Sequence, residues 1–213
     1  ASPDLLLYEP DTSENYEVGI KGSLAGQSYT VSLYHIDWKN LQVNDASAAG
    51  GYDLVANGSE ATSRGVELSL SGSPFEGFRY SLSYAYIDAE ISDSFEVEDN
   101  FFGETAPIIA AREGDPLPNT SEHSYTVSVD YSHDLAADWR MRWHLNGYYR
   151  DETLSGLVSL IPGDPQPFEI DAFSVWDTSV NLESGPIRAS LYVDNLTDER
   201  AVTGGLADAR AGA

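Results

Sequence analysis

Phe78-Arg79-Tyr80-Ser81-Leu82-Ser83-Tyr84-Ala85-Tyr86-Ile87 is the stretch that decides the fold. Phe78, Tyr80, Leu82, Tyr84 and Tyr86 alternate with Arg79, Ser81, Ser83, Ala85 and Ile87, so an extended chain carries rings and apolar stems on one face. A helix would mix the two sets. Trp139, Met141, Trp143 and Leu145 alternate in the same way with Arg140, Arg142, His144 and Asn146.

The same period recurs at Tyr16/Val18/Ile20, Tyr29/Val31/Leu33, Val66/Leu68/Leu70, Tyr125/Val127/Val129/Tyr131, Trp176/Thr178/Val180/Leu182 and Ile187/Ala189/Leu191/Val193. These ladders predict strands near 13–23, 28–41, 59–71, 78–92, 121–135, 139–151, 168–183 and 187–195. Most reach the ~9–11 residues needed to cross a bilayer at a tilt, longer than the ~5–6 residues of ordinary soluble strands. Short connections surround Ala25-Gly26, Ser73-Pro74, Ala136-Ala137 and Gly185-Pro186, whereas long ones fill 42–58, 93–120, 152–167 and the tail from Leu196. A meander through an outer membrane sorts its connections in this way, with short turns on the periplasmic side and long loops outside. The fold class is therefore all-β, an antiparallel transmembrane β-barrel segment. The alternatives are a half-buried soluble sheet, which has no reason to sort its loops, and closure of these eight strands on themselves.

Composition agrees with a barrel and removes other classes. The chain of 213 residues has a formal charge of -24, from 35 acidic against 11 basic residues, so nucleic-acid phosphates would meet a surface of like sign. Cysteine is absent, which excludes a thiolate metal site and a disulfide scaffold. No apolar run reaches the ~18 residues of a spanning helix. His35, His123, His133 and His144 form no His-Glu-x-x-His zinc motif, and Ser132-His133-Asp134 alternates faces along a strand, so no catalytic constellation or metal site is read here. The 93–120 connection holds Asp93, Glu96, Glu98, Asp99, Glu104, Glu113 and Asp115 without calcium-loop spacing, and reads as a solvated acidic loop.

Several segments resemble, in order, the barrel domain of TonB-dependent outer-membrane receptors. They are Glu14-Asn15-Tyr16-Glu17-Val18-Gly19-Ile20-Lys21-Gly22, Tyr34-His35-Ile36-Asp37-Trp38-Lys39-Asn40-Leu41-Gln42-Val43, Ala61-Thr62-Ser63-Arg64-Gly65-Val66-Glu67-Leu68, Tyr84-Ala85-Tyr86-Ile87-Asp88-Ala89-Glu90 and Val193-Asp194-Asn195-Leu196-Thr197-Asp198-Glu199. The resemblance implies a barrel of about 22 strands closed around an N-terminal plug, of which residues 1–213 would be roughly the fourteenth through twenty-first strands. It places the plug domain, the coupling motif and the final barrel strand outside this chain.

The function implied is TonB-dependent active import of a chelated nutrient, a ferric siderophore first, with cobalamin, sugar or peptide as other cargoes. A passive porin or surface-binding barrel is the alternative, and an enzyme is not expected. The implied partners are outer-membrane lipid of a Gram-negative bacterium, the TonB energy-coupling protein and the nutrient ligand, with no cofactor. Candidate ligand-binding groups of the outer vestibule are Asp88, Arg112, Tyr148 and Arg150.

Overall fold

The computed structural model describes residues 9–45, 54–58, 60–99, 106–136, 138–159 and 166–204. Eight long strands form one antiparallel meander: β1 (Thr12–Leu24), β2 (Gln27–Lys39), β3 (Glu60–Gly72), β4 (Phe78–Ile91), β5 (His123–Asp134), β6 (Arg140–Arg150), β7 (Phe173–Ser184) and β8 (Ile187–Val193). Each pairs with its sequence neighbours, and β1 and β8 are the two edges, so the sheet is an open wall.

The short turns carry the backbone that tight hairpins demand. Ala25 and Gly26 both have positive φ (52 and 79), the primed-turn pattern whose twist matches the flanking strands. Gly185 also has positive φ and precedes Pro186, whose ring fixes the next dihedral. In the five-residue turn at Ser73, the hydroxyl donates to the Phe78 carbonyl at 2.7 Å.

Register joins the ladders into two continuous faces. On one, Ile20, Val31, Leu68 and Tyr84 stand in line across β1 to β4, and Phe78, Tyr131, Trp143, Val180 and Leu191 stand in line across β4 to β8. These two rows lie near the middle of the apolar set on the outermost strands, yet they meet β4 six residues apart, at Tyr84 and Phe78. The apolar band thus slips by about one residue per strand; with ~3.3 Å rise per residue and ~4.8 Å between strands, it crosses the strands at a tilt of roughly 35°. A band at constant height across tilted strands is the mark of a wall that meets a flat slab of hydrocarbon.

Among the described residues nothing packs on the apolar face: Val18 is 67% exposed and Leu191 70%. Among the close approaches that shape the wall, two bring a ring over a glycine in the half nearer the long loops. Trp176 lays its ring across Gly147 on the apolar face, and Tyr34 lies against Gly65 on the other, each ring occupying the space a Cβ would need.

The opposite face is polar over most of its height and turns partly apolar toward the long loops, at Ile36, Ile87, Val175 and Phe173. Ser23, Ser28, Ser71, Ser81, Ser128, Asn146 and Asp177 form one row across seven strands. Toward the short turns this face is charged and paired: Arg140 with Asp134 at 2.6 Å, His144 with Asp130 at 3.0 Å, and Glu183 with both Arg142 at 3.0 Å and Arg188 at 2.9 Å. The expected separation of Arg140, Arg142, His144 and Asn146 from the apolar ladder is what the strands show. Such exposed pairs add little stability each, and here they keep charge on the watered side.

The long connections contain structure that periodicity did not predict. Phe95–Asp99 and Ala106–Ala111 form a hairpin to which Val158–Ser159 adds, so the second and third long connections share a small sheet. Glu169–Ile170 pairs with Thr153–Leu154, which is why β7 begins at Phe173 and not near 168: those residues leave the wall to close a loop. Thr153 donates its hydroxyl to the Thr120 carbonyl at 3.0 Å, and the Asn119 amide donates to the Leu154 carbonyl at 2.8 Å. Leu41, Ala61, Ile91 and Ala111 are buried together, with Phe95, Leu117 and Leu157 against them. The buried apolar residues among those described all lie at this long-loop end, so a small core fixes the loops while the wall has none of its own. Residues 46–53, Glu104 and the tail beyond 204 lie outside the described residues.

Candidate functional site

The polar face at the long-loop end is where wall and loops could meet a solute, and the sequence-derived residues distribute there unequally. Tyr148 and Arg150 alternate with Gly147 and Tyr149, so both belong to the polar face of β6. Arg150 is paired in register with Phe173, the first residue of β7. Its guanidinium carbon lies 5.1 Å from the Phe173 ring centroid, and the Tyr148 ring lies 5.8 Å from the same ring. The structure therefore brings Tyr148 and Arg150 together and adds Phe173. Sequence reasoning missed Phe173 because only the β6 to β7 register places it there; the sole signal was an aromatic in step with Asp177 and Asn181.

Arg112 is exposed in the turn after Ala106–Ala111, where its amide donates to the Asp115 carboxylate at 2.8 Å. It belongs to the loop cap, whereas the Arg150 cluster belongs to the wall. Asp88 lies elsewhere again. It shares the face of Leu82, Tyr84 and Tyr86, stands opposite Arg64 and is bound by it, with Nη2 2.8 Å and Nε 2.9 Å from the same carboxylate oxygen. That pair sits just beyond the apolar band, on the side away from Arg150.

Among the described residues no three side chains of His, Asp, Glu or Cys are grouped to hold a metal ion. A cation over one aromatic ring, next to a wall of hydroxyls, offers contacts to a planar or anionic solute. Between Glu67, Ser69, Ser83, Ala85, Ser124 and Thr126 the same face is a shallow open depression, because all of those side chains but Glu67 are short.

A tilted antiparallel wall, apolar on one face and polar on the other, with short turns at one end and structured long loops at the other, defines a transmembrane β-barrel segment. The comparisons then fix the lineage. Residues 2–196 match the family described as TonB dependent receptor-like, beta-barrel, and the chain belongs to that family. Its members are outer-membrane transport receptors of Gram-negative bacteria, not enzymes, and this chain is part of such an outer-membrane protein.

Over 87 residues, 40% of this chain and 12% of the relative, the chain is 36% identical to the metal-pseudopaline receptor CntO of Pseudomonas aeruginosa. The siderophore receptor PiuA from Acinetobacter baumannii superimposes with a TM-score of 0.68 at 18% identity, over 94% of this chain and 26% of that one. The ferric yersiniabactin uptake receptor FyuA from Yersinia pestis gives 0.67 at 20% identity, over 93% and 27%. The chain thus spans about a quarter of these solved receptors and a smaller share of the curated relative.

Proposed function

We propose that the full-length protein imports a chelated metal, a ferric siderophore first among cargoes, through a plugged barrel of about 22 strands energised by TonB. The observation that carries this reading is the family match over residues 2–196, and the relatives' own cargoes, siderophores and a metal-pseudopaline chelate, support the chemical class. Residues 1–213 supply eight wall strands, and the plug, the coupling motif and the remaining strands lie in other parts of the protein. The row of serines on the polar face suits a lumen filled by another domain, because short hydroxyls leave room and can exchange water for protein hydrogen bonds. Tyr148, Arg150 and Arg112 are the vestibule contacts, Tyr148 and Arg150 from the wall and Arg112 from the loop cap. Asp88 is assigned to the outer rim with Arg64.

The test is uptake of a panel of ferric siderophores, a pseudopaline-type metal chelate and cobalamin by cells making the full-length receptor, with and without the coupling partner. Accumulation of one iron or metal chelate should fall to background when the partner is deleted, and Arg150→Met should weaken it several-fold while leaving the amount of receptor in the membrane unchanged. Undiminished accumulation without the partner would replace this reading with a passive pore.

A further inference from the structure

We infer that Asn195 is a positioning residue for Arg150, acting through the chain segment that follows β8. The inference rests on the proposed role of Arg150 at the vestibule for its functional meaning, but its geometry stands independently of transport.

The segment begins as a continuation of β8 and then leaves the wall. The Leu196 amide donates to the Trp176 carbonyl at 2.7 Å, and the Asn195 amide donates to the Asp177 carboxylate at 2.8 Å. Asn195 has a φ of 53, a left-handed conformation that Asn tolerates better than most residues. Its side-chain amide is used at both ends: Oδ1 accepts the Glu199 amide at 2.9 Å and Nδ2 donates to the Glu199 carbonyl at 2.9 Å. The carboxamide thereby pairs with one residue's backbone as a neighbouring strand would, which needs a donor and an acceptor side by side on a short stem. The Asp198 amide closes the turn on the Asn195 carbonyl at 3.0 Å. Asn195 and Glu199 are half-buried while Leu196, Thr197 and Asp198 between them are exposed, so the clasp is the packed part of the segment.

What the clasp delivers lies three residues on. Arg150 Nη2 donates to the Val202 carbonyl at 3.4 Å, its one acceptor among the described residues, while Nε is buried without a partner. A guanidinium with a single backbone acceptor is poorly restrained by hydrogen bonds alone. The Val202 carbonyl on one side and the Phe173 ring on the other define where it sits, and the carbonyl is there because the clasp turns the chain back over β6. Asn195 thus sets Arg150 over Phe173 without touching it.

The test replaces Phe173 by 4-fluorophenylalanine in the full-length receptor in lipid nanodiscs and reads the fluorine resonance with no cargo present. Arg150→Met should shift the resonance by removing the cation from the ring. Asn195→Ala should shift it in the same direction, and should add nothing further in the Arg150→Met background. Asn195→Asp keeps the acceptor for the Glu199 amide and loses the donor, so an intermediate shift is expected, and this variant serves if Asn195→Ala fails to fold. An unchanged resonance in Asn195→Ala or Asn195→Asp, or the same Asn195 shift with and without Arg150, would overturn the positioning role. Failure of the transport reading would appear in the uptake assay and leave this resonance as described.

Discussion

Leu82→Arg should cost the folded barrel about 2–4 kcal/mol, the penalty for a cation on the lipid face near the middle of the bilayer. Leu82 stands between Leu70 on β3 and Val127 on β5, with Tyr80 and Tyr84 above and below it on the same face. An arginine there has neither water nor a carboxylate within reach, and its length only partly lets it snorkel to the interface. The neighbouring Ser81→Arg is the matched comparison, because Ser81 lies on the polar face between Ser71 and Ser128. The denaturant midpoint of the full-length receptor in lipid vesicles should drop for Leu82→Arg and stay near the wild type for Ser81→Arg. Equal effects at the two positions would mean that the two faces do not differ in their surroundings.

Gly147→Leu should have a comparable effect through a different cause. A side chain at 147 enters the space filled by the six-membered part of the Trp176 indole, so either the ring swings out into lipid or the β6 to β7 pairing yields. Overpacking of this kind costs about 1–3 kcal/mol, and loss of the ring's cover over the backbone adds to it. Trp176→Ala should recover part of the loss, since the two residues are in contact and their effects couple by about 0.5–3 kcal/mol. Gly156, with none of the described residues near its would-be Cβ, should accept alanine with little change in the same measurement. Strict additivity of Gly147→Leu and Trp176→Ala would show that the ring is not what selects glycine.

The wall was legible in the sequence for a physical reason. Lipid imposes an apolar side chain at every second position over a full membrane crossing, so ladders such as Tyr80/Leu82/Tyr84 and Trp143/Leu145 carry their own orientation. The early end of the expected seventh strand shows where that reading stops. Glu169 and Ile170 continue an extended pattern, but Thr153 and Leu154 draw them out of the wall, and a contact between two distant loops leaves no period to read. The same holds for Val158–Ser159 joining Ala106–Ala111, which depends on how the loop cap packs around Leu41, Ala61 and Ile91.

The candidate site was legible in part. Tyr148 and Arg150 share a parity that follows from the Met141/Trp143/Leu145 ladder, and their meeting needed only the strand. The side of the wall on which Asp88 lies was also present in the sequence, as the next even step after Tyr84 and Tyr86, and the structure adds Arg64 as its partner across β3. Phe173 and the Val202 carbonyl depended on register and on the turn at Asn195. Both are set by tertiary pairing.

One face of this sheet meets hydrocarbon along a band that runs obliquely to the strands. Single spin labels placed along β2, β4 and β7, and at Ser128 on β5 and Arg142 on β6, of the full-length receptor in bilayers, read by accessibility to oxygen against a water-soluble nickel chelate, test this arrangement. The cysteine-free chain allows each label to be placed alone on this segment. Greatest depth is expected near Val31 on β2, near Leu82 on β4 and near Thr178 to Val180 on β7, with labels at Ser81, Ser128 and Arg142 lacking the high oxygen accessibility of hydrocarbon. Equal accessibility on the two faces would contradict it, and so would depth maxima that follow one row of paired residues straight across the sheet.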